Sequence, residues 1–349
     1  MTAMASGWND YALLVQMPHM APGEKLSEVE FLKVLAAFQW ESIARALGRR
    51  PPELMNAQNE RLYGSVIDVE VHLGENHSME VLGEDVNIRV RNRVRFYAKK
   101  FVEGLFVIDD QDIPESALAP VATRKDLQQL RGSWACMTNA FIARGGSNVK
   151  LKVFKPVGAD QCKDHEISET PLGIVEQGRV MRTGEIEALA GDVPGAIALA
   201  PRNDGPVRYA IVAESDLNGA SLVYFARYEA MMNYGERVFL SDHLDRPFSS
   251  ELISYLSTEH RKAYFFGNAT PNDVVEIRVE ARVLPPGSFA EAPASGAYRT
   301  PLKFLFRIDL YRGSDKVLMA SSLVRKALNV PGSAKGVLAE VERFLRRSG

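Results

Sequence analysis

Several polar groups in this chain have the types and spacing to work on a carbonyl. In "DLNGASLVYFARY" an acid, a carboxamide and a glycine (Asp216, Asn218, Gly219) stand just ahead of an apolar run. A carboxylate there can act as general base or nucleophile, and the asparagine can cap a helix. Ser27 and Glu28 head a second apolar run, "LSEVEFLKVLAAFQW". The first turn of a helix carries N–H groups with no intrahelical partner and a partial positive charge. An oxyanion placed there gains about 2.7–4 kcal/mol per well-aimed donor. Tyr63, beside Gly64 in "LYGS", brings a phenol to a point where backbone can approach a ligand closely. An unperturbed phenol is a poor nucleophile, so it needs a stabilising neighbour or else serves as a hydrogen-bond donor. His19 in "MPHM" can orient a carboxylate or donate to a carbonyl, and Thr138 and Asn139 are a polar pair in the apolar strand "SWACMTNAFIA". Each has a plainer reading: Ser27 and Asn218 as caps, Glu28 and Asp216 as partners of helix dipoles, Tyr63 as packing, His19 as a loop group, Thr138-Asn139 as a strand irregularity.

Other chemistries find no support. The six histidines (His19, His72, His77, His165, His243, His260) show no i, i+4 pair, and Cys136 and Cys162 are too few for a thiolate cage, so no metal is expected. GxSxG, P-loop and strand-linked GxGxxG motifs are absent, and no cofactor is expected. With 42 basic against 44 acidic residues the net charge is -2, which argues against a nucleic-acid partner. No run approaches the ~20 apolar residues of a membrane helix, so no membrane partner is expected. The opening "MTAMASGWNDYALLVQM" lacks a basic region followed by a long apolar core, so no signal peptide is expected, and the sparse cysteines fit the reducing cytoplasm.

The elements that must position these groups repeat. Residues 26–47 and 219–240 both read as helices apolar on most sides, each after a short extended run, "YALLVQM" or "VRYAIVA". Ser27 with Glu30 fits a capping box, and Asn218 fits an N-cap. Long strands follow each: "VNIRVRNRVRFY" and "DVVEIRVEARVL" alternate with period two. Then "SWACMTNAFIARGGSNVKLKVF" and "LKFLFRIDLYRGSDKVLMASSLV" read as strand, hairpin, strand, turning at Gly145-Gly146 and at Gly313-Ser314-Asp315. The row Arg89, Arg91, Arg93, Arg95, extended by Lys99 and Lys100, reads as a solvated strand face or a contact for phosphates and acidic partners. Residues 154–206 read as an outer connection with a short helix near 184–190, and 333–349 as an amphipathic helix. At 349 residues the length suggests about two domains, here 1–153 and 207–349. A sheet curling round a buried helix, twice over, is an α+β double hot dog.

The Asp-x-Asn-Gly element resembles the start of the central helix in hot-dog thioesterases, and "RKAYFFGNATPNDVVEIRVEARV" resembles the strand that follows. In the first half, "MPHMAPGEKLSEVEFL", "NERLYGSVIDVEV" and "MTNAFIARGGSNVKLKVFKP" resemble the acyltransferase/decarboxylase family of leinamycin biosynthesis. That resemblance implies decarboxylation of methylmalonyl-CoA and transfer of propionyl to an acyl carrier protein, in polyketide-like biosynthesis. Tyr63 would be the acyl acceptor, and Gly64 and Leu217 depart from the family pattern. The expected catalytic set is Tyr63, His19 and Ser27, with Glu28, Gly64, Thr138, Asn139, Asp216, Asn218 and Gly219 binding substrate. An acyl-CoA or acyl-carrier thioesterase using Asp216 or Glu28, and a non-catalytic acyl-binding scaffold, remain open. CoA enters only as part of the substrate, and a homodimer is the family expectation. Aligning "LYGS" with "FFGN" puts Phe266 in the place of Tyr63, leaving one half with the hydroxyl.

Overall fold

A computed structural model describes residues 7–74, 78–109, 115–130, 132–143, 152–161, 166–167, 172–183, 196–200, 205–219, 221–243, 248–284, 302–330, 333–337 and 339–341. The first half runs β1 (Asn9–Leu14), the small ribbon β2 (Met20–Ala21) and β3 (Lys25–Leu26), then α1 (Glu28–Ala46). It continues with β4 (Leu62–His72), β5 (Asn87–Tyr97), β6 (Phe101–Asp109), the short helices α2 (Glu115–Leu118) and α3 (Arg124–Leu127), and β7 (Ser133–Ala143). Next come β8 (Glu166–Ile167), α4 (Leu172–Thr183) and β9 (Ile197–Leu199). The second half holds β10 (Val207–Ala210), α5 (Ala213–Asp216), α6 (Phe225–Val238), α7 (Ser250–Ser254), β11 (Leu256–Phe265), β12 (Val274–Leu284), β13 (Lys303–Arg312) and β14 (Leu318–Leu328). Residues 335–337 and 339–341 are helical, in line with the expected C-terminal helix.

The long strands form one antiparallel sheet in the order β1-β5-β6-β7-β4-β11-β14-β13-β12-β10. Its two halves mirror each other: the pre-helix strand lies at the edge, the first post-helix strand at the centre. They join at β4 and β11, where Ala263 faces Val69 and Arg261 faces Val71. The inward side chains of β4–β7 close over Phe31, Leu32, Leu35 and Ile43 of α1, while β12–β14 close over Tyr228, Met231 and Met232 of α6. In α1 the buried residues Phe31, Leu32, Leu35, Gln39, Ser42 and Ile43 recur along one face while Ala37, Glu41 and Arg45 are exposed, and in α6 Arg237 is exposed. The sheet therefore covers one face of each helix, and the expected cover on most sides is corrected. The chain is a double hot dog.

Several expectations need correction. The second helix begins at Phe225, six residues after Gly219, and it is not apolar throughout: Glu229 and Glu236 are buried within it. The arginine row is no solvated face. Arg91 is 2% exposed, Arg89 pairs with Asp10 at 3.1 Å, Arg93 donates to the Val121 carbonyl and Arg95 lies 4.0 Å from Glu103. The connection carries its helix at 172–183, where Gly178 rests on Tyr264 and Phe266 on the outer sheet face. It also adds β8 beside β5 and β9 beside β12. The expected helix at 184–190 and the Gly145-Gly146 turn lie outside the described residues; a bridge from Ile142 to Val153 marks the returning chain. The turn between β13 and β14 sits at 313–315 as expected, with Lys316 at φ 60°.

Candidate active site

The chain delays α6 because Asn218 starts a turn rather than a helix. Its Oδ1 accepts the Leu222 N–H (3.2 Å), its own N–H donates to the Leu222 carbonyl (2.8 Å), and Ser221 takes a left-handed φ of 58°. A bridge between Leu217 and Val223 closes this loop, with Gly219 at its exposed tip. Asn218 is therefore not the cap of α6. That place falls to Tyr224, whose side chain makes no capping bond to the first-turn amides. Burial, and then the Glu30 carboxylate, push the Tyr224 phenol up to about 12.

Asp216 anchors the loop and is fully buried. Its carboxylate accepts from Tyr209 Oη (3.0 Å), the Val212 N–H (2.8 Å), Ser215 Oγ (3.1 Å) and Arg227 Nε (2.9 Å). Arg227 Nη2 also lies 2.8 Å away, so this acid clasps the first turn of α6 to the strand before it.

Across the loop stands Asn268, just past β11. Its Oδ1 accepts the N–H groups of Val223 (2.9 Å) and Ala269 (2.9 Å), and Tyr228 Oη at 3.2 Å. Those contacts fix the amide orientation and leave Nδ2 buried with no partner among the described residues. Leu222 joins Ile142 in a small apolar cluster against which Tyr63, opposite Ile142, packs, with the Arg61 guanidinium 5.5 Å from the Tyr63 ring. Tyr63 and Phe266 are not counterparts, however. Tyr63 opens β4 and Phe266 follows the end of β11; antiparallel pairing of these strands (Tyr264 opposite Asp68) carries both to one end of the sheet. Gly64 is approached by protein: a Cβ there would lie 2.9 Å from Asn139 Nδ2 and 3.2 Å from Trp40.

The amino end of α1 is built differently. Ser27 caps it, accepting the Glu30 N–H at 3.4 Å, while Glu30 pairs with Lys33 rather than completing a capping box. Glu28 faces inward as the partner of Arg261 from the other half, bonded at 2.6 and 3.0 Å, with Thr258 adding a third bond at 2.8 Å. Burial alone would push this carboxyl up; Arg261 outweighs it and holds Glu28 at about 2. At this end Ser27, expected at an enolate, serves as a cap, and Glu28, expected on substrate, pairs with Arg261. His19 accepts the Gln16 N–H on Nδ1 (3.1 Å), and its carbonyl receives the Ser27 N–H (2.8 Å). It braces the turn before α1.

Thr138 and Asn139 do not line one pocket, since adjacent strand residues point to opposite faces. Thr138 accepts from Arg124 on the outer face, amid Asp68 and Glu103, whereas Asn139 faces inward to Gln39. They lie opposite a bulge in β4 between Val66 and Asp68. Cys136 is fully buried. Among the described residues no group is placed to hold a metal.

Sequence reasoning missed Asn268, Arg261 and Gln39. Arg261 left a signal: it shares strand parity with Ala263 and Phe265, a charge on an inward row. Asn268 left only its place in the Gly267-Asn268 pair of the hot-dog-like segment and Gln39 left none, since their meaning depends on contacts 45 and 100 residues away.

No protein-family model matches the chain, and no curated protein matches it in sequence. Solved structures do resemble it in fold. A putative oleoyl thioesterase from Lactobacillus plantarum superposes with a TM-score of 0.56 at 10% identity, covering 93% of this chain and 98% of that one. The 12:0-ACP thioesterase from Umbellularia californica gives 0.53 at 8% identity, covering 93% and 99%. An acyl-ACP thioesterase from Bacteroides thetaiotaomicron gives 0.50 at 10% identity, covering 92% and 98%. Identities this low show a shared double hot-dog fold.

Proposed function

We propose that the chain is a thioesterase, hydrolysing an acyl thioester of CoA or of an acyl carrier protein at the amino end of α6. The observation that carries this reading is the buried Asn268 Nδ2, without a partner among the described residues, beside a helix start whose N-cap side chain, Tyr224, makes no capping bond. A thioester carbonyl placed between them accepts from both, and the developing oxyanion is stabilised more than the ground state. Asp216 supplies the carboxylate. Ser215 is exposed, so its hydroxyl is the donor that a water replaces most easily on Oδ1. The water, oriented there, gives a proton to Asp216 as its oxygen bonds the carbonyl carbon; the C–S bond then breaks, Asp216 returns the proton to the departing thiolate, and the free acid is left. Arg227 positions the carboxylate.

Decarboxylation of a malonyl-type thioester with transfer through Tyr63 is the second reading, favoured by Tyr63 packing, beside Arg61, against the cluster that Leu222 of the loop shares with Ile142. One assay separates the two. The full chain is incubated with acyl-CoA, acyl-carrier and methylmalonyl-CoA substrates, following free thiol, carbon dioxide and protein mass. Thiol release without a protein adduct, lost in Asp216→Asn, supports hydrolysis. Carbon dioxide with an adduct that disappears in Tyr63→Phe replaces it with the second reading.

A further inference from the structure

The core of the first half is divided in two by a polar belt. On β5, Asn92 lies between Val90 and Val94; on β6, Gly104 lies between Phe106 and Val102; on β7, Asn139 lies between Met137 and Phe141. On β4, Gly64 sits between Leu62 and Val66, and on α1, Gln39 sits between Leu35 and Ile43. Every residue on one side of the belt belongs to one apolar cluster and every residue on the other side to a second. The first cluster also contains Phe225 and Ala226, the opening residues of α6. The first cluster therefore links the α6 start to the belt.

The belt is short of donors. Gln39 spends both amide hydrogens, on the Met137 carbonyl (3.1 Å) and on Asn139 Oδ1 (2.6 Å), and Asn92 Nδ2 donates to the Leu105 carbonyl (3.2 Å). Gln39 Oε1 and Asn92 Oδ1 are left buried with no partner among the described residues. The site is shaped for that oxygen, since a Cβ on Gly104 would stand 2.2 Å from Gln39 Oε1. Buried acceptors without a donor are uncommon in folded proteins and favour a ligand that brings one.

We propose that the belt is a specificity floor for acyl chains ending in a hydroxyl, with the ω-hydroxyl donating to Gln39 Oε1 or Asn92 Oδ1. A methyl terminus leaves both oxygens unpaired, and a terminal carboxylate brings only more acceptors. The inference rests on the acyl-binding reading of the α6 end and adds the class of acyl group.

The test is calorimetric titration of the full chain with free fatty acids of rising length, each beside its ω-hydroxy counterpart. Binding of free acids does not depend on turnover. At the length that reaches the belt, the ω-hydroxy acid should bind roughly tenfold tighter or more. Gln39→Met, which keeps length and helix propensity, should remove that preference; Asn92→Val does the same from the sheet side and serves if the first variant fails to fold by circular dichroism. Equal affinity of the two series at every length, as expected if only a water fills the belt, overturns the inference, and so does a preference that survives both variants. Hydrolysis of plain acyl thioesters with no gain from the hydroxyl would sink the inference and spare the thioesterase reading. Hydroxyl-selective binding without hydrolysis would do the reverse.

Discussion

Asn268 can be tested one atom at a time. Asn268→Asp keeps the Oδ1 that receives Val223 and Ala269 and replaces only the unpartnered Nδ2 with an acceptor. If that amide polarises the thioester, kcat falls by roughly 10²–10³-fold, the usual loss for one oxyanion donor, while the melting temperature holds. Loss of both together would assign Asn268 to the loop alone. Asp216 also has a structural role beside the catalytic one proposed, because it receives bonds from four residues and is fully buried. Asp216→Asn can no longer accept from every donor, and equilibrium urea unfolding should show a loss of about 1–3 kcal/mol. Unchanged stability would mean that the clasp with Arg227 does not hold the loop. At this scale the sequence was partly legible. Asp216 and Asn218 were visible as polar residues ahead of an apolar run, but both Asn218 as helix cap and Asn218 as turn former satisfy the same local rules. The choice was made by Asn268, which holds the Val223 N–H from beyond β11.

Elements were read most reliably where their period is long and uninterrupted. Strict alternation in "VNIRVRNRVRFY" marks β5 unaided, and the inward set includes Asn92, whose polarity is invisible to a pattern counted in apolar residues. The helices were harder, because half-buried apolar residues such as Val29, Val34, Phe38 and Tyr234 blur the stripe that locates a helix face, and Glu229 and Glu236 pass unnoticed among so many apolar neighbours. Their packing gives a direct test. Gly235 lies where α6 crosses β12, and a Cβ there would come within 2.4 Å of Ile277 Cγ2. Glycine to alanine in a helix ordinarily stabilises by up to about 1 kcal/mol. Here overpacking of about 1–3 kcal/mol outweighs that gain, so Gly235→Ala should be destabilising. Adding Ile277→Val, which trims the contact, should recover part of the loss, and a double-mutant cycle by chemical denaturation measures the coupling. Two purely additive changes would show that α6 shifts to make room.

The two halves are fastened by charge as well as by the shared sheet. Arg261, fully buried on β11, holds Glu28 of the first half and lies 2.8 Å from Glu229 of α6, while Lys326 reaches Glu236 and Asn233 nearby. Such a cluster contributes register more than net stability, since desolvation offsets much of the attraction. It also gives the whole molecule a pH signature. Glu28, held at about 2, binds its proton more weakly in the folded chain than in the unfolded one, so its contribution is present above pH 4.5 and is lost as pH falls towards 2. Glu229 has the opposite sign. Burial pushes it up to about 7 against the pull of Arg261, so between pH 4.5 and 7 the folded chain keeps a proton that the unfolded chain has released. Stability from this group therefore falls as pH rises, by at most ~1.4 kcal/mol per unit. Burial, then His260, lowers His72 to about 4, which adds a rise in stability between pH 4 and 6.5 and can mask the fall in the unmodified chain. Glu229→Gln isolates it, because His72 contributes equally to both proteins and cancels in the difference. The variant should gain on the parent between pH 5 and pH 8 by an amount on the order of 2 kcal/mol in chemical denaturation. A difference that stays flat across that range would mean Glu229 is already ionised at pH 5, with Arg261 neutralising both of its acids throughout.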